Sequence, residues 1–170
     1  MKFPLPGFRG GAALGALACA LLLGYGFWLQ YFEGQEPCPL CLIQRGFYLA
    51  VMLVLLAGAL HAAGRAGRIA YAAFAMLFAA GGASVAARQV WLQHLPADRV
   101  PACGPDLYFM LQNLPLGRTL EKLIQGSGEC AEVHWRFLGL SIAEWSLACF
   151  SGLVLYALWL GLGSRKASRA

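Results

Sequence analysis

The chain has 170 residues, of which 59% are hydrophobic and only 12% charged, and its formal net charge is +5. An ordinary soluble domain carries about 25% charged residues, so the apolar excess here is more than one core absorbs, and a bilayer must cover the rest. The length suits a single domain over residues 1–170. The basic excess is distributed for lipid and membrane orientation, and no nucleic-acid partner is expected.

Four stretches contain no Asp, Glu, Lys or Arg: residues 10–32, 46–64, 69–87 and 145–164. A helix needs about 20 mostly apolar residues to cross the hydrocarbon core, rising about 1.5 Å per residue. The stretches are rich in Leu and Ala and lack strict alternation. They predict four transmembrane helices in an all-α membrane bundle. Lys2 and Arg9 precede the first, and Ala16-Leu17-Ala18 imitates a signal cleavage site. The apolar stretch nevertheless continues through Leu29, beyond a normal signal core, so it is expected to remain as the first helix.

Orientation follows from the basic residues. Lys2 and Arg9, then Arg65 and Arg68, then Arg165, Lys166 and Arg169 occupy segments without a single acidic residue. Glu33, Glu36, Asp98, Asp106, Glu121, Glu129, Glu132 and Glu144 all fall on the opposite side. Both termini are therefore expected in the cytoplasm of a bacterial inner membrane. Two loops, about 33–45 and 88–144, then face the periplasm, a compartment that permits disulfides. In the second loop, Pro96, Pro101, Pro105 and Pro115 break regular structure. Within it, Leu116, Leu120, Leu123 and Ile124 recur at helical spacing, with Arg118, Glu121 and Lys122 on the other face. This pattern predicts a short amphipathic helix lying on the bilayer surface; packing on a small core within the loop is the alternative.

Six cysteines punctuate this plan. Cys19 and Cys149 fall inside the first and fourth helices and read as small buried hydrophobes. Cys38 and Cys41 bracket Pro39 and Leu40 in the first loop. A C-x-x-C pair is the shortest common unit that opens and closes a disulfide. The second helix is expected to begin near Cys41, where the positive end of the helix dipole favours a thiolate. Arg45 follows four residues on, hence on the same face, and adds a fixed positive charge. A snorkelling orientation marker is the blander reading of that arginine. Cys103 and Cys130 enclose much of the second loop. As a structural staple they would restrict the unfolded chain by about 3.5 kcal/mol in the entropy model. Zinc favours two close-spaced pairs or closely spaced histidines. Only one pair is close-spaced here, His94 and His134 do not fit the pattern, and no metal is expected.

The run Pro37-Cys38-Pro39-Leu40-Cys41-Leu42-Ile43-Gln44-Arg45, at the start of the second of four membrane helices, resembles the signature of the DsbB family of quinone-dependent membrane thiol oxidases. Cys103, and Cys130 followed by Trp135-Arg136-Phe137-Leu138-Gly139-Leu140, are similar to the family's second cysteine pair and its lead into helix four. The resemblance covers nearly the whole chain. It implies that a reduced, DsbA-like thioredoxin-fold protein attacks Cys103 and leaves oxidised. Cys130 then exchanges with Cys38, and Cys41 faces a bound ubiquinone or menaquinone, with Arg45 supporting its thiolate. The sequence departs from the family at Gln89, in Arg88-Gln89-Val90-Trp91-Leu92-Gln93, where the family often has a histidine linked to the quinone site. Gln89 can donate a hydrogen bond but carries no charge, and Arg88 beside it is a candidate to compensate. Ala143 stands where a proline is common.

Three other readings compete. An electron transporter across the membrane would need redox cysteines reachable from the cytoplasm, and only Cys19 and Cys149 remain for that. A structural membrane protein with staple disulfides would form no mixed disulfide. A vitamin K epoxide reductase-like enzyme has its C-x-x-C after the loop pair, whereas Cys38 precedes Cys103 here.

Overall fold

The computed structural model describes residues 7–61, 64–100, 112, 115, 117–118, 128–133 and 135–166. Four long helices dominate: α1 (Phe8–Phe32), α2 (Pro39–Leu60), α3 (Arg65–Gln93) and, after the short helix α4 (Gly128–Ala131), α5 (Ile142–Lys166). All four long helices are long and apolar enough to cross a membrane. Leu17, Leu21, Leu53, Leu77 and Leu155 stand exposed along them, as expected of side chains whose solvent is lipid.

The helices overrun the charge-free stretches. α2 starts at Pro39, close to Cys41 where its start was expected and ahead of the charge-free stretch at 46, and α3 continues to Gln93, past the end of its charge-free stretch at 87. Charge marks where the hydrocarbon begins, whereas backbone hydrogen bonding continues through the interface. Proline suits the first position of α2, because its missing N–H has no partner in a first helical turn. Arg88 and Gln89, expected in a loop, are therefore helical residues with fixed facing.

α3 packs against both α2 and α5, and α1 packs against α2. The buried face of α3 is a stripe of small residues, Ala72, Ala75, Ala79, Gly82 and Ala86. Small side chains let membrane helices approach closely, which strengthens dispersion contacts where no hydrophobic driving force exists. Opposite the stripe lie Val51 and Leu55 of α2 and Phe150, Leu153 and Ala157 of α5. Cys19 is fully buried among them, and Cys149 packs against the same cluster.

One feature departs from a wholly helical plan. Residues Arg136–Phe137 (β1) and Leu140–Ser141 (β2) pair antiparallel, Arg136 with Ser141 and Phe137 with Leu140. Leu138 and Gly139 both have positive φ, 52° and 82°, the backbone that a two-residue hairpin turn requires. The hairpin feeds directly into α5 through a capping box. The backbone N–H of Ser141 donates to Glu144 Oε2 at 2.7 Å, and the N–H of Glu144 donates to Ser141 Oγ at 3.3 Å. Ala143 sits buried in this first turn. The amphipathic helix expected over 116–124 lies outside the described residues apart from Gly117 and Arg118, which are helical. Cys103 lies outside them as well.

Candidate active site

At one end of the bundle, the start of α2 meets the end of α3 and the short helix α4. Cys38 is the N-cap of α2, and Cys41 lies in its first turn. Their Sγ atoms are 3.2 Å apart, with both residues present as thiols. Cys130 of α4 is fully buried in a small cluster with Leu40 and Leu92, against which Cys38, Ile43 and Val85 pack. Its side chain is a hydrogen-bond partner of Cys38. Three of the four loop cysteines named from the sequence thus converge. The hydrogen bonds of Cys38 with Cys130 and then Cys41, together with burial, raise its pKa, so Cys38 holds its proton.

Gln89 of α3 sits against this pair. Its Nε2 lies 3.4 Å from Cys38 Sγ and 3.3 Å from Cys41 Sγ. Gln89, expected from the sequence at a ligand site, has its amide against the sulfurs and also lines the adjoining cleft. Gln44, on the buried face of α2 three residues after Cys41, donates to Gln89 Oε1 at 2.6 Å. Sequence reasoning passed over Gln44. The available signal was an amide in an apolar helix at i+3 from a cysteine, which shares its face.

Arg45 turns toward α1. Its Nη1 donates to Gln30 Oε1, its Nη2 to the carbonyl of Gly26 at 2.9 Å, and its guanidinium carbon stands 4.9 Å from the Phe27 ring centre. The hydrogen bonds of Arg45 therefore go to α1 rather than to Cys41, while its charge borders the same space. Arg88, one residue from Gln89, is rotated about 100° around the helix. Its guanidinium lies over the Trp91 ring at 4.2 Å.

An open cleft with a cavity volume of about 140 Å³ adjoins the thiols. Cys38, Cys41, Gln44, Arg45 and Gln89 border it, with Tyr48 and Leu29 supplying apolar walls and Glu36 and Glu132 at its margin. Tyr48 Oη is held 3.3 Å from both the carbonyl and the hydroxyl of Ser146. Ser141 Oγ donates to Gln93 Oε1 at 2.7 Å, tying the hairpin and α5 to the end of α3. Among the described residues, no group of three or more His, Cys, Asp or Glu side chains is placed to hold a metal ion.

A bundle of four membrane-length helices with a vicinal dithiol at a helix N-terminus, and a third thiol buried against it, defines a membrane thiol–disulfide oxidoreductase. The chain belongs to the DsbB family: the model for disulfide bond formation protein DsbB matches residues 9–160. It is 49% identical over 154 residues to the disulfide bond formation protein B of Methylococcus capsulatus, covering 91% of this chain and 94% of that one. It is 50% identical over 143 residues to that of Hahella chejuensis, covering 84% and 86%. To the Nitrosococcus oceani protein of the same name it is 49% identical over 146 residues, covering 86% of each. This is a membrane protein of disulfide bond formation.

Proposed function

We propose that the protein reoxidises a DsbA-like periplasmic thioredoxin-fold dithiol and passes the two electrons to a membrane quinone, ubiquinone or menaquinone. It does so from the inner membrane, with both termini cytoplasmic and the redox cysteines periplasmic. The observation that carries this reading is the burial of Cys130 within hydrogen-bonding reach of Cys38, which makes exchange between the two cysteine pairs a local step.

The partner's thiolate attacks the Cys103–Cys130 disulfide at Cys103, and Cys130 leaves as thiolate. The partner's second thiol then displaces Cys103, so the partner departs oxidised. Cys130 attacks the Cys38–Cys41 disulfide at Cys38 and frees Cys41 as thiolate. Cys103 next attacks Cys130, restoring the loop disulfide and leaving Cys38 and Cys41 reduced. Each transfer is a thiolate attack through a mixed disulfide.

The cleft suits a quinone by its donor set: a fixed guanidinium and two amides beside an apolar wall of Tyr48 and Leu29. A bound quinone supplies the acceptor for two electrons and two protons as the Cys38–Cys41 disulfide re-forms. Arg45 would hold one of its oxygens by a hydrogen bond, and Gln89 would border the bound group. Arg88 is given no part in holding it.

Purified protein in micelles with quinone should oxidise a reduced DsbA-like partner. Cys103→Ser should abolish this, and Cys130→Ser should trap the partner on Cys103 as a mixed disulfide. A partner that stays reduced, or a Cys103→Ser protein as active as wild type, would sink the proposal.

A further inference from the structure

Two side-chain amides are buried where the cysteines meet: Gln44 and Gln89 are each 4% exposed. A buried amide in so apolar a bundle must be fully partnered. Gln44 Nε2 donates to Gln89 Oε1 at 2.6 Å, and that bond determines which end of the Gln89 carboxamide faces the sulfurs. Nε2 then points at Cys38 and Cys41, 3.4 and 3.3 Å away, while Oε1 lies 3.6 Å from Cys41 Sγ. The other polar groups facing this point are Arg45 on α2, the Cys130 thiol on α4, and Glu36 and Glu132 at the cleft margin. Arg45 is engaged by Gln30 and Gly26 of α1; Gln89 supplies the amide donor at the sulfurs, beside the Cys38 thiol, which donates to Cys41 only while the pair is reduced.

We propose that Gln44 is a positioning residue that turns the Gln89 amide toward the cysteines, so that Gln89 N–H receives the charge left on Cys41 when the disulfide opens. This rests on reading Cys38–Cys41 as the redox pair. In that step the Cys130 thiolate forms an S–S bond with Cys38, the Cys38–Cys41 bond breaks, and the electron pair leaves on Cys41 Sγ. The negative charge moves from Cys130 to Cys41, and no proton is transferred. An N–H aimed at the leaving sulfur lowers the energy of that charge; a carbonyl oxygen in its place would raise it.

The test uses the full chain in micelles, without quinone or partner, with Cys103 and Cys130 changed to Ser. Two readouts are taken: the rate of Cys41 alkylation by iodoacetamide at neutral pH, and the equilibrium of the Cys38–Cys41 pair with glutathione. Gln44→Met should slow alkylation about tenfold, the scale of one hydrogen bond to a charged group. It should shift the equilibrium toward the disulfide by a similar factor, about 30 mV for a two-electron couple. Gln89→Met should do the same, and the double variant should be no worse than Gln89→Met alone, because Gln44 acts through Gln89. If Gln44→Met does not fold, Gln44→Asn gives the same reading, its amide being one methylene too short to reach. Unchanged alkylation and equilibrium, or losses that add in the double variant, overturn the proposal. Because neither readout involves quinone or a protein partner, a failure of the wider functional reading leaves a separate signature: normal shifts here, with no partner oxidation.

Discussion

The ring of Phe150 on α5 stacks on Tyr48 of α2 with 3.9 Å between centroids and 15° between planes. Tyr48 is a wall of the cleft beside the thiols, so this stack couples the packing of the bundle to the shape of the site. It exists because α3 carries Gly82 where any Cβ would strike the Phe150 ring.

Gly82→Ala should therefore destabilise the protein by about 1–3 kcal/mol, the usual cost of overpacking a close-packed interior. Thermal unfolding in micelles checks this. Adding Phe150→Leu to Gly82→Ala should recover part of the loss, whereas Phe150→Leu alone should open a void and destabilise.

Arg45 spans α1 and α2 through two hydrogen bonds and brings the fixed cation of the cleft. Arg45→Met should raise the KM for quinone about tenfold, the worth of one charge-assisted hydrogen bond, with a smaller change in kcat. Arg45→Lys should rescue only part, because an ammonium cannot serve two divergent acceptors with the geometry of a guanidinium. Steady-state kinetics against quinone concentration separates the two parameters.

Ser141 caps α5 and also donates to Gln93. Ser141→Ala should lower stability by about 1 kcal/mol, the typical worth of an N-cap, and should loosen the attachment of the hairpin to α3. The melting temperature reads the first effect. Faster amide hydrogen exchange over residues 136–141 reads the second.

Cys38 retains its proton in the folded, reduced protein because its pKa is raised. In the unfolded chain a free thiol ionises near pH 8.5. Below that pH both states are protonated and the full stabilisation is present. Above it the unfolded state binds fewer protons, so stability falls with rising pH by up to about 1.4 kcal/mol per unit from this group. Reduced wild-type protein should thus lose stability between pH 8.5 and 10 more steeply than Cys38→Ser. Melting temperatures of the two across that range provide the measurement.

Much of this protein was legible before any coordinates. Four membrane helices follow from charge-free length, because a bilayer imposes the same requirement on every spanning segment. The C-x-x-C at a helix start is legible for a similar reason, since its chemistry depends on spacing and on the helix terminus within one short segment. The end of α3 at Gln93 was less accessible, because interfacial turns carry charge and yet keep their hydrogen bonds. The hairpin before α5 was missed, since a non-glycine residue with positive φ, Leu138, gives no compositional turn signal.

What the sequence by itself determined is the membrane class, the number of spans and the place of the C-x-x-C pair at a helix start. Each is a property of local composition or spacing, independent of neighbouring helices. Tertiary structure alone decided that Cys130 is buried against Cys38, that Gln44 orients Gln89 onto the sulfurs, and that Arg45 turns to α1. These depend on which faces of α1, α2, α3 and α4 meet, at what depth and rotation. The small-residue stripe of α3 and the Gly82–Phe150–Tyr48 stack set that rotation through close packing, which involves residues far apart in the chain.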